Sequence, residues 1–333
     1  MKAVILCAGY GTRLKPITDH TPKPLIKVLG IPLLEYTINL LYQYDVREIY
    51  INRHHLPEKF DKVNFPKKVK VHFSTEQQIL GTLGGIMSFK EHLLDDDFLV
   101  INGDILFDMN IKKLLEQHKK RKCISTMVVR KKDVDDATPV FIDDFNNVIS
   151  IGGQSRGVYK ECMFTGIQVL SPEFFKHVKP AQLPSCIIKD LYIPYISSGG
   201  IVNSCAVDDN KEFWLEFGDH KKYLDGNLWV LKKLSEYKLG NIYEDFIDLR
   251  SGEQVVENIW LGDKVYVDWG ATLIPPVFVG HGVTIEKESI IGPNVVLGDD
   301  VTIKEGSAIR DSFIMDGANI PANSKIINRM QHQ

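Results

Sequence analysis

Two stretches of this sequence carry residue types that suit chemistry on phosphate. The strand-like run Ala3 to Cys7 leads into Ala8, Gly9, Tyr10, Gly11, Thr12, Arg13, and ten positions after Arg13 comes Lys23, between Pro22 and Pro24. Glycines after a strand let backbone N–H groups come close to phosphate oxygens, while Arg13 adds a planar two-pronged donor and Lys23 a mobile point charge. Together they describe a polyphosphate cradle. It is not a P-loop, which needs Gly-Lys followed by Ser or Thr, nor the dinucleotide fingerprint, whose third glycine and following helix are missing. Further on, Asn102, Gly103 and Asp104 end the apolar run Phe98 to Ile101. That puts a carboxylate at the carboxyl end of a strand, where open α/β sheets hold their ligands.

The elements that must position these groups are legible as periodicities. Strand-like runs at Ala3 to Cys7, Val46 to Asn52 and Phe98 to Asn102 alternate with a helical stretch from Leu33 to Tyr44, in which Leu33, Tyr36, Leu40, Leu41 and Tyr44 share one face. This alternation predicts a parallel α/β sheet covered by that helix. Cys123 to Asp144 and Asn147 to Leu170 are strand-rich, and Tyr223 to Leu239 reads as a helix ending at Gly240. A first domain over 1–240 and a polar linker over 241–254 are expected.

Beyond the linker the sequence repeats with a period of six. One column runs Leu261, Val267, Leu273, Val279, Ile285, Ile291, Leu297, Ile303; the other runs Val265, Ala271, Val277, Val283, Ser289, Val295, Val301, Ser307. One aliphatic and one small residue per six-residue step is what each face of a triangular parallel β-helix requires, with Gly262, Gly280, Gly292, Gly298 and Gly306 expected at its corners. A β-sandwich would give turn signals every 8 to 12 residues instead. The coils are expected over 255–326.

Composition bounds the function. The 333 residues are 44% hydrophobic and 25% charged, enough apolar material for a large core and a second domain, and the net charge of -3 gives no footprint for DNA or RNA. The run His118 to Lys122 reads as a solvated helix end facing the negative pole of the macrodipole. Five cysteines without paired spacing argue against a disulfide framework or a thiolate zinc site. No stretch reads as a signal peptide or membrane span, so a cytoplasmic protein is expected.

On the Gly9-to-Arg13 loop and Pro22-Lys23, the sequence resembles the sugar-phosphate nucleotidyltransferase family, and the likeness extends over nearly the whole chain. The resemblance implies a Rossmann-like domain with a mixed central sheet followed by a left-handed parallel β-helix. It further implies that Ala8, Gly9, Gly11, Thr12 and Arg13 bind the nucleotide, with Arg13 and Lys23 on the phosphates at the reaction centre. Leu80 to Gly85, with Gly81 and Thr82, matches the loop that holds the nucleobase. Asn102, Gly103, Thr165 and Gly166 match the sugar pocket. Asp104 matches a magnesium ligand. The second metal carboxylate of the family falls in Trp214, Leu215, Glu216, Phe217, Gly218, Asp219, where Glu216 replaces an Asp and Asp219 a Thr. The family's Glu-Lys-Pro triplet, whose Lys meets the sugar phosphate, is absent between Ile149 and Phe164.

The implied reaction needs no general base, because a phosphate monoester dianion is already a competent nucleophile at neutral pH. At the base-reading position stands Glu76, an acceptor-only group that suits the N1–H and N2–H₂ edge of guanine. Guanylyltransferases that make GDP-mannose often show Glu there and carry a hexapeptide tail, so GTP and a mannose- or heptose-type 1-phosphate are expected. A register shift onto Gln77 or Gln78 would restore the amide reader of UTP or dTTP enzymes, and Asn52 to Leu56 resembles uridylyltransferases acting on N-acetylmuramic acid 1-phosphate. A catalytically silent, NDP-sugar-binding regulatory subunit is the rival from another class, set against the retention of Gly11, Arg13, Lys23 and Asp104. An acyltransferase would need a catalytic His in the coils, where His281 reads as a corner residue. A homo-oligomer is expected, with the coils packing on the catalytic domain or on another subunit.

Overall fold

In the computed structural model, which describes residues 1–132, 137–153, 159–179, 182–240, 243–247 and 253–332, the chain divides into two units. The first holds Met1–Gly11, Thr18–Pro24 and Leu40–Leu215; the second holds Thr12–Ile17, Leu25–Asn39 and Glu216–Gln333.

The first unit is built on the apolar runs. Lys2–Leu6 lies between Phe98–Asn102 and Glu48–Arg53, parallel to both, and Lys70–Thr75 extends the parallel part. Lys160–Leu170 then turns the sheet mixed, running antiparallel to Phe98–Asn102, Ser125–Lys131 and Pro139–Ile142. The central strands read as near-continuous Val, Ile and Leu because both faces are covered: Ala3, Val4, Ile5, Leu99 and Ile101 are fully buried. The mixed sheet and the α/β class are as the sequence implies.

Helix Leu33–Gln43 forms where predicted, but Leu34, Thr37 and Ile38 are buried as well as Leu33, Tyr36, Leu40 and Leu41, so it is enclosed on more than one side; Tyr44 of the expected face lies past the helix end and is half-buried. Helix Ile111–Arg121 ends in the basic run, with Lys122 in the left-handed conformation. His118 departs from the solvated reading: it is buried, with Nδ1 2.8 Å from the Thr126 hydroxyl. Burial and the nearby Lys119 lower its pKa against the pull of Asp97. All five cysteines are free thiols.

The second unit is a parallel β-helix. Ile259–Leu261, Val277–Val279, Val295–Leu297 and Ser312–Ile314 stack in one sheet; Tyr266–Val267, Thr284–Ile285, Thr302–Ile303 and Asn319–Ile320 form the second; Thr272–Leu273, Ile290–Ile291, Ala308–Arg310 and Lys325–Ile327 form the third. Ile259, Val277 and Val295 are in register at 18-residue steps, three hexads per turn. The step to Ser312 is 17 residues, so the aliphatic column passes from Ile309 to Ile314 and then to Ile320 and Ile326. That missing residue ends the legible six-fold rhythm.

The corners differ from expectation. Gly292 and Gly306 do take positive φ, but Gly262, Gly280 and Gly298 do not; they stack on one another, and a Cβ on Gly280 would lie 2.7 Å from the Gly298 carbonyl carbon. Coil-on-coil approach, not backbone handedness, selects them. Asp and Asn supply other left-handed corners, at Asn294, Asp300, Asp311 and Asn323. His281 sits in this stack, where its Nδ1 accepts the Asp263 N–H at 2.9 Å and its own N–H donates to Asp299.

Helix His220–Ser235 also belongs to the second unit. It starts earlier and ends sooner than predicted because Asp219 caps it, accepting the Lys222 N–H at 2.9 Å, and Tyr237 turns left-handed after the last turn. The expected linker 241–254 lies partly outside the described residues.

Fully buried Ile291 sits on the coil axis. Ile291→Ala is expected to destabilise the fold by about 2–5 kcal/mol, read as a lower midpoint in thermal or urea unfolding with the far-UV spectrum unchanged below the transition.

Candidate functional site

The strand ends of the first unit place three groups of residues. In the first, Gly11 takes a φ of +62°, and a Cβ there would lie 2.8 Å from Thr18 Cγ2 and 3.2 Å from Lys23 Cβ. The loop therefore folds tightly back on the segment that carries Lys23, fixed by the Thr18 hydroxyl donating to the Gly11 carbonyl at 3.0 Å. The Lys23 ammonium donates to the Asp104 carboxylate, with both side chains largely buried, 14% and 26% exposed. Gly103 hydrogen-bonds to Leu6 across the sheet (2.9 Å), which brings Asp104 level with the end of the first strand.

Cys7 is the one thiol beside Asp104. Burial, reinforced by the Asp104 charge, pushes its pKa well up, so it stays a thiol. Ala8 and Gly9 continue the strand into the loop; they are half-buried, and the space around Gly9 is open.

The second group is a buried hydrogen-bond relay. The Cys7 N–H donates to Asn52 Oδ1 at 2.8 Å, Asn52 Nδ2 donates to Glu76 Oε1 at 2.7 Å, and Glu76 Oε2 accepts the Leu80 N–H at 2.9 Å. Asn52 and Glu76 are 2% and 5% exposed. Three parallel strand ends are thus tied to the segment that leads into Gly81. That segment is not a loop as the resemblance implied: Gly81–Met87 is helical, and the Thr82 hydroxyl accepts the Ile187 N–H. Both oxygens of Glu76 are engaged inside the protein, while Gln77 and Gln78 are exposed.

The third group joins Asn102 to Gly166, whose φ is +82° and where a Cβ would lie 2.6 Å from Asn102 Nδ2. Thr165 is buried, its hydroxyl donating to Val128 and its carbonyl accepting Trp214 Nε1–H. Its side chain is therefore part of the strand packing.

In the second unit, Arg13 follows Thr12 in the short turn Thr12–Leu14, and its Nη2 lies 3.8 Å from Glu216 Oε1. The other oxygen of Glu216 accepts the Lys222 ammonium. His220 Nε2–H donates to the Lys15 carbonyl at 2.7 Å, tethering the Arg13 segment to the capped helix. Sequence reasoning missed Lys222, Asn52 as an organiser, and His220. Asp219 three residues before Lys222 was the available signal for a helix start.

The Asp104 side chain in the first unit pairs with Lys23, and that of Glu216 in the second pairs with Lys222. Among the described residues no cluster of three or more His, Cys, Asp or Glu could hold a metal by itself. Magnesium is commonly held by one or two carboxylates together with substrate phosphates, and Asp104 in the first unit is an oxygen donor of that kind.

The first unit is thus a mixed α/β sheet with a tight glycine turn and a Lys–Asp pair at its strand ends, and the second unit carries a parallel β-helix. The chain belongs to the nucleotidyl transferase family, whose model matches residues 2–233, and the GMPPB C-terminal domain model matches 273–330. It is 32% identical over 248 residues to a mannose-1-phosphate guanyltransferase of Aspergillus fumigatus, covering 71% of this chain and 66% of that one. It is 27% identical over 290 residues to a UTP–glucose-1-phosphate uridylyltransferase of Synechocystis sp. (81% and 71%). It is also 27% identical over 259 residues to the bifunctional protein GlmU of Methanocaldococcus jannaschii (77% and 60%). The chain thus spans 60% to 71% of the length of these relatives. A solved structure described as a glucose-1-phosphate thymidylyltransferase of Bacillus anthracis shares the fold, with a TM-score of 0.59 and 21% identity over 69% of this chain and 94% of that one.

Asn52→Ala would orphan the Cys7 N–H and remove a donor to Glu76. Each buried group left unsatisfied costs about 1–3 kcal/mol, so this variant is expected to melt measurably lower than wild type in calorimetry.

Proposed function

We propose that the protein transfers a nucleotidyl group from an NTP to a sugar 1-phosphate, giving an NDP-sugar and pyrophosphate. The observation that carries this is the Lys23–Asp104 pair beside the Gly11 turn. It sets a cation and a hard anionic donor at the strand ends where the phosphates of an NTP would lie. Ala8, Gly9, Gly11 and Thr12 supply backbone groups to the triphosphate, with Gly81 and Thr82 at the nucleobase and Asn102, Gly103, Thr165 and Gly166 at the sugar.

Arg13 and Lys23 hold the phosphates and stabilise the charge that develops on the departing pyrophosphate. Asp104 and, as a second ligand, Glu216 are the residues that would hold magnesium, which would supply charge neutralisation at the phosphates. The sugar phosphate attacks the α-phosphorus directly. No proton need be removed from it, and Cys7, the thiol nearest Asp104, is held protonated.

GTP with a mannose- or heptose-type 1-phosphate is the favoured pair, supported by the guanyltransferase relatives and by the acceptor-only chemistry of Glu76. One observation favours a second reading with UTP or dTTP: both Glu76 oxygens are engaged internally, while the amides of Gln77 and Gln78 are exposed. We assign the catalytic domain to 1–240, the linker to 241–254 and the β-helix to 255–326, in a cytoplasmic homo-oligomer with no nucleic-acid or membrane partner. No described helix is long and apolar enough to cross a membrane.

Pyrophosphate release, measured across GTP, UTP, dTTP, CTP and ATP against mannose, glucose, N-acetylglucosamine, N-acetylmuramic acid and heptose 1-phosphates, tests the proposal. Release should require both a sugar phosphate and magnesium, be greatest with GTP, and fall by at least about 100-fold in Asp104→Ala. Preference for UTP or dTTP would move the base reading to the glutamines. Silence with every pair, alongside tight NDP-sugar binding, would point to a regulatory subunit.

A further inference from the structure

Tyr10 stands between the two glycines of the turn that follows the first strand, and it is 53% exposed. Its place is nonetheless fixed. The hydroxyl lies 3.1 Å from His54 Nε2, and the ring meets the imidazoles of His54 and His55 edge-on, at centroid distances of 5.2 and 6.1 Å. His54 Nδ1 is 2.9 Å from the Glu76 carbonyl. A carbonyl only accepts, so Nδ1 carries the proton, and in the neutral ring Nε2 offers its lone pair to the Tyr10 O–H. His55 Nε2–H donates to the Thr18 carbonyl at 2.6 Å, and the Thr18 hydroxyl in turn holds the Gly11 carbonyl. All of these residues belong to the first unit.

Gly9 and Gly11 leave the backbone on both sides of Tyr10 permissive, and the space around Gly9 is open, so packing does not hold the turn there. A ligand that binds a loose turn must order it, at a cost in affinity. The bonds to His54 and His55 order it beforehand. They come from a segment under backbone strain: Leu56, directly after the two histidines, is left-handed with φ +48°, a conformation that an aliphatic side chain adopts at a cost.

We propose that Tyr10 and His54 are positioning residues: the imidazole, anchored on the Glu76 carbonyl, latches the Tyr10 hydroxyl and so holds the Gly9–Gly11 turn ready for the phosphates of a nucleotide. This rests on that turn being the triphosphate cradle, as proposed above. It gives the Asn52-to-Leu56 segment a role toward the nucleotide.

The test compares the full wild-type chain with Tyr10→Phe, His54→Asn and the double variant. The Asn amide can sit where Nδ1 sits, keeping the donation to Glu76 while removing the acceptor for Tyr10, so each single variant cuts the same bond. Calorimetric titrations in magnesium with inorganic pyrophosphate, and separately with GTP and UTP, should show each single variant weakened by about three- to tenfold, the range for one hydrogen bond. The double variant should be no weaker than either single one, and melting temperatures should stay at the wild-type value. A merely structural bond would lower the melting temperature and leave these affinities alone. In the ligand-free protein, imidazole ¹⁵N resonances should show His54 protonated at Nδ1, and Tyr10→Phe should move its Nε2 resonance.

Wild-type affinities in a folded Tyr10→Phe protein, additive losses in the double variant, or a proton on Nε2 instead of Nδ1 in neutral His54 would each overturn the latch while leaving the cradle standing. If the wild type binds neither pyrophosphate nor either nucleotide, the cradle itself falls and the latch with it.

Discussion

The contact between the Lys23 ammonium and the Asp104 carboxylate sets the terms for the first unit's site. The two residues are 81 positions apart, largely withdrawn from water, and of opposite charge. A charge taken out of water needs its counter-ion held in place, so the backbone on both sides must be fixed. That is why Lys2–Leu6 is a central strand, why Gly103 is hydrogen-bonded to Leu6, and why Gly11 adopts a conformation closed to most side chains. The sheet is the means of holding that pair at the end of parallel strands.

Beside the pair, the relay from Cys7 through Asn52 and Glu76 to Leu80 fixes the spacing of three strand ends. It accounts for a buried acidic side chain: Glu76 receives two N–H donors, and a carboxyl group so bound is satisfied. Glu76, expected from the sequence to read the base, is held in this relay by both of its oxygens.

What was legible in the sequence is what repeats locally. The apolar runs at Ala3 and Phe98 name their strands because burial on both faces demands unbroken aliphatics, and the six-residue columns name the β-helix because every coil must fill the same axis. Gly11, Arg13 and Lys23 lie within one short segment of sequence, but the fold puts Arg13 in a different unit from the other two. The Asn52–Glu76 bond was not legible, since it joins side chains 24 residues apart on neighbouring strands and no local pattern announces it. Nor was the 17-residue coil after Val295, the buried state of His118, or the grip of Lys222 on Glu216, each of which depends on what the fold brings alongside.

Positioned charge, with no enzyme nucleophile, is the heart of the chemistry proposed for this site. The stereochemistry at phosphorus reads it directly. With a chiral NTPαS as donor and the preferred sugar 1-phosphate as acceptor, the configuration at Pα of the thio-NDP-sugar can be assigned by ³¹P nuclear magnetic resonance. One in-line displacement gives inversion, which is the expected result. Retention would require two displacements through a nucleotidyl-enzyme intermediate and would contradict direct attack by the sugar phosphate.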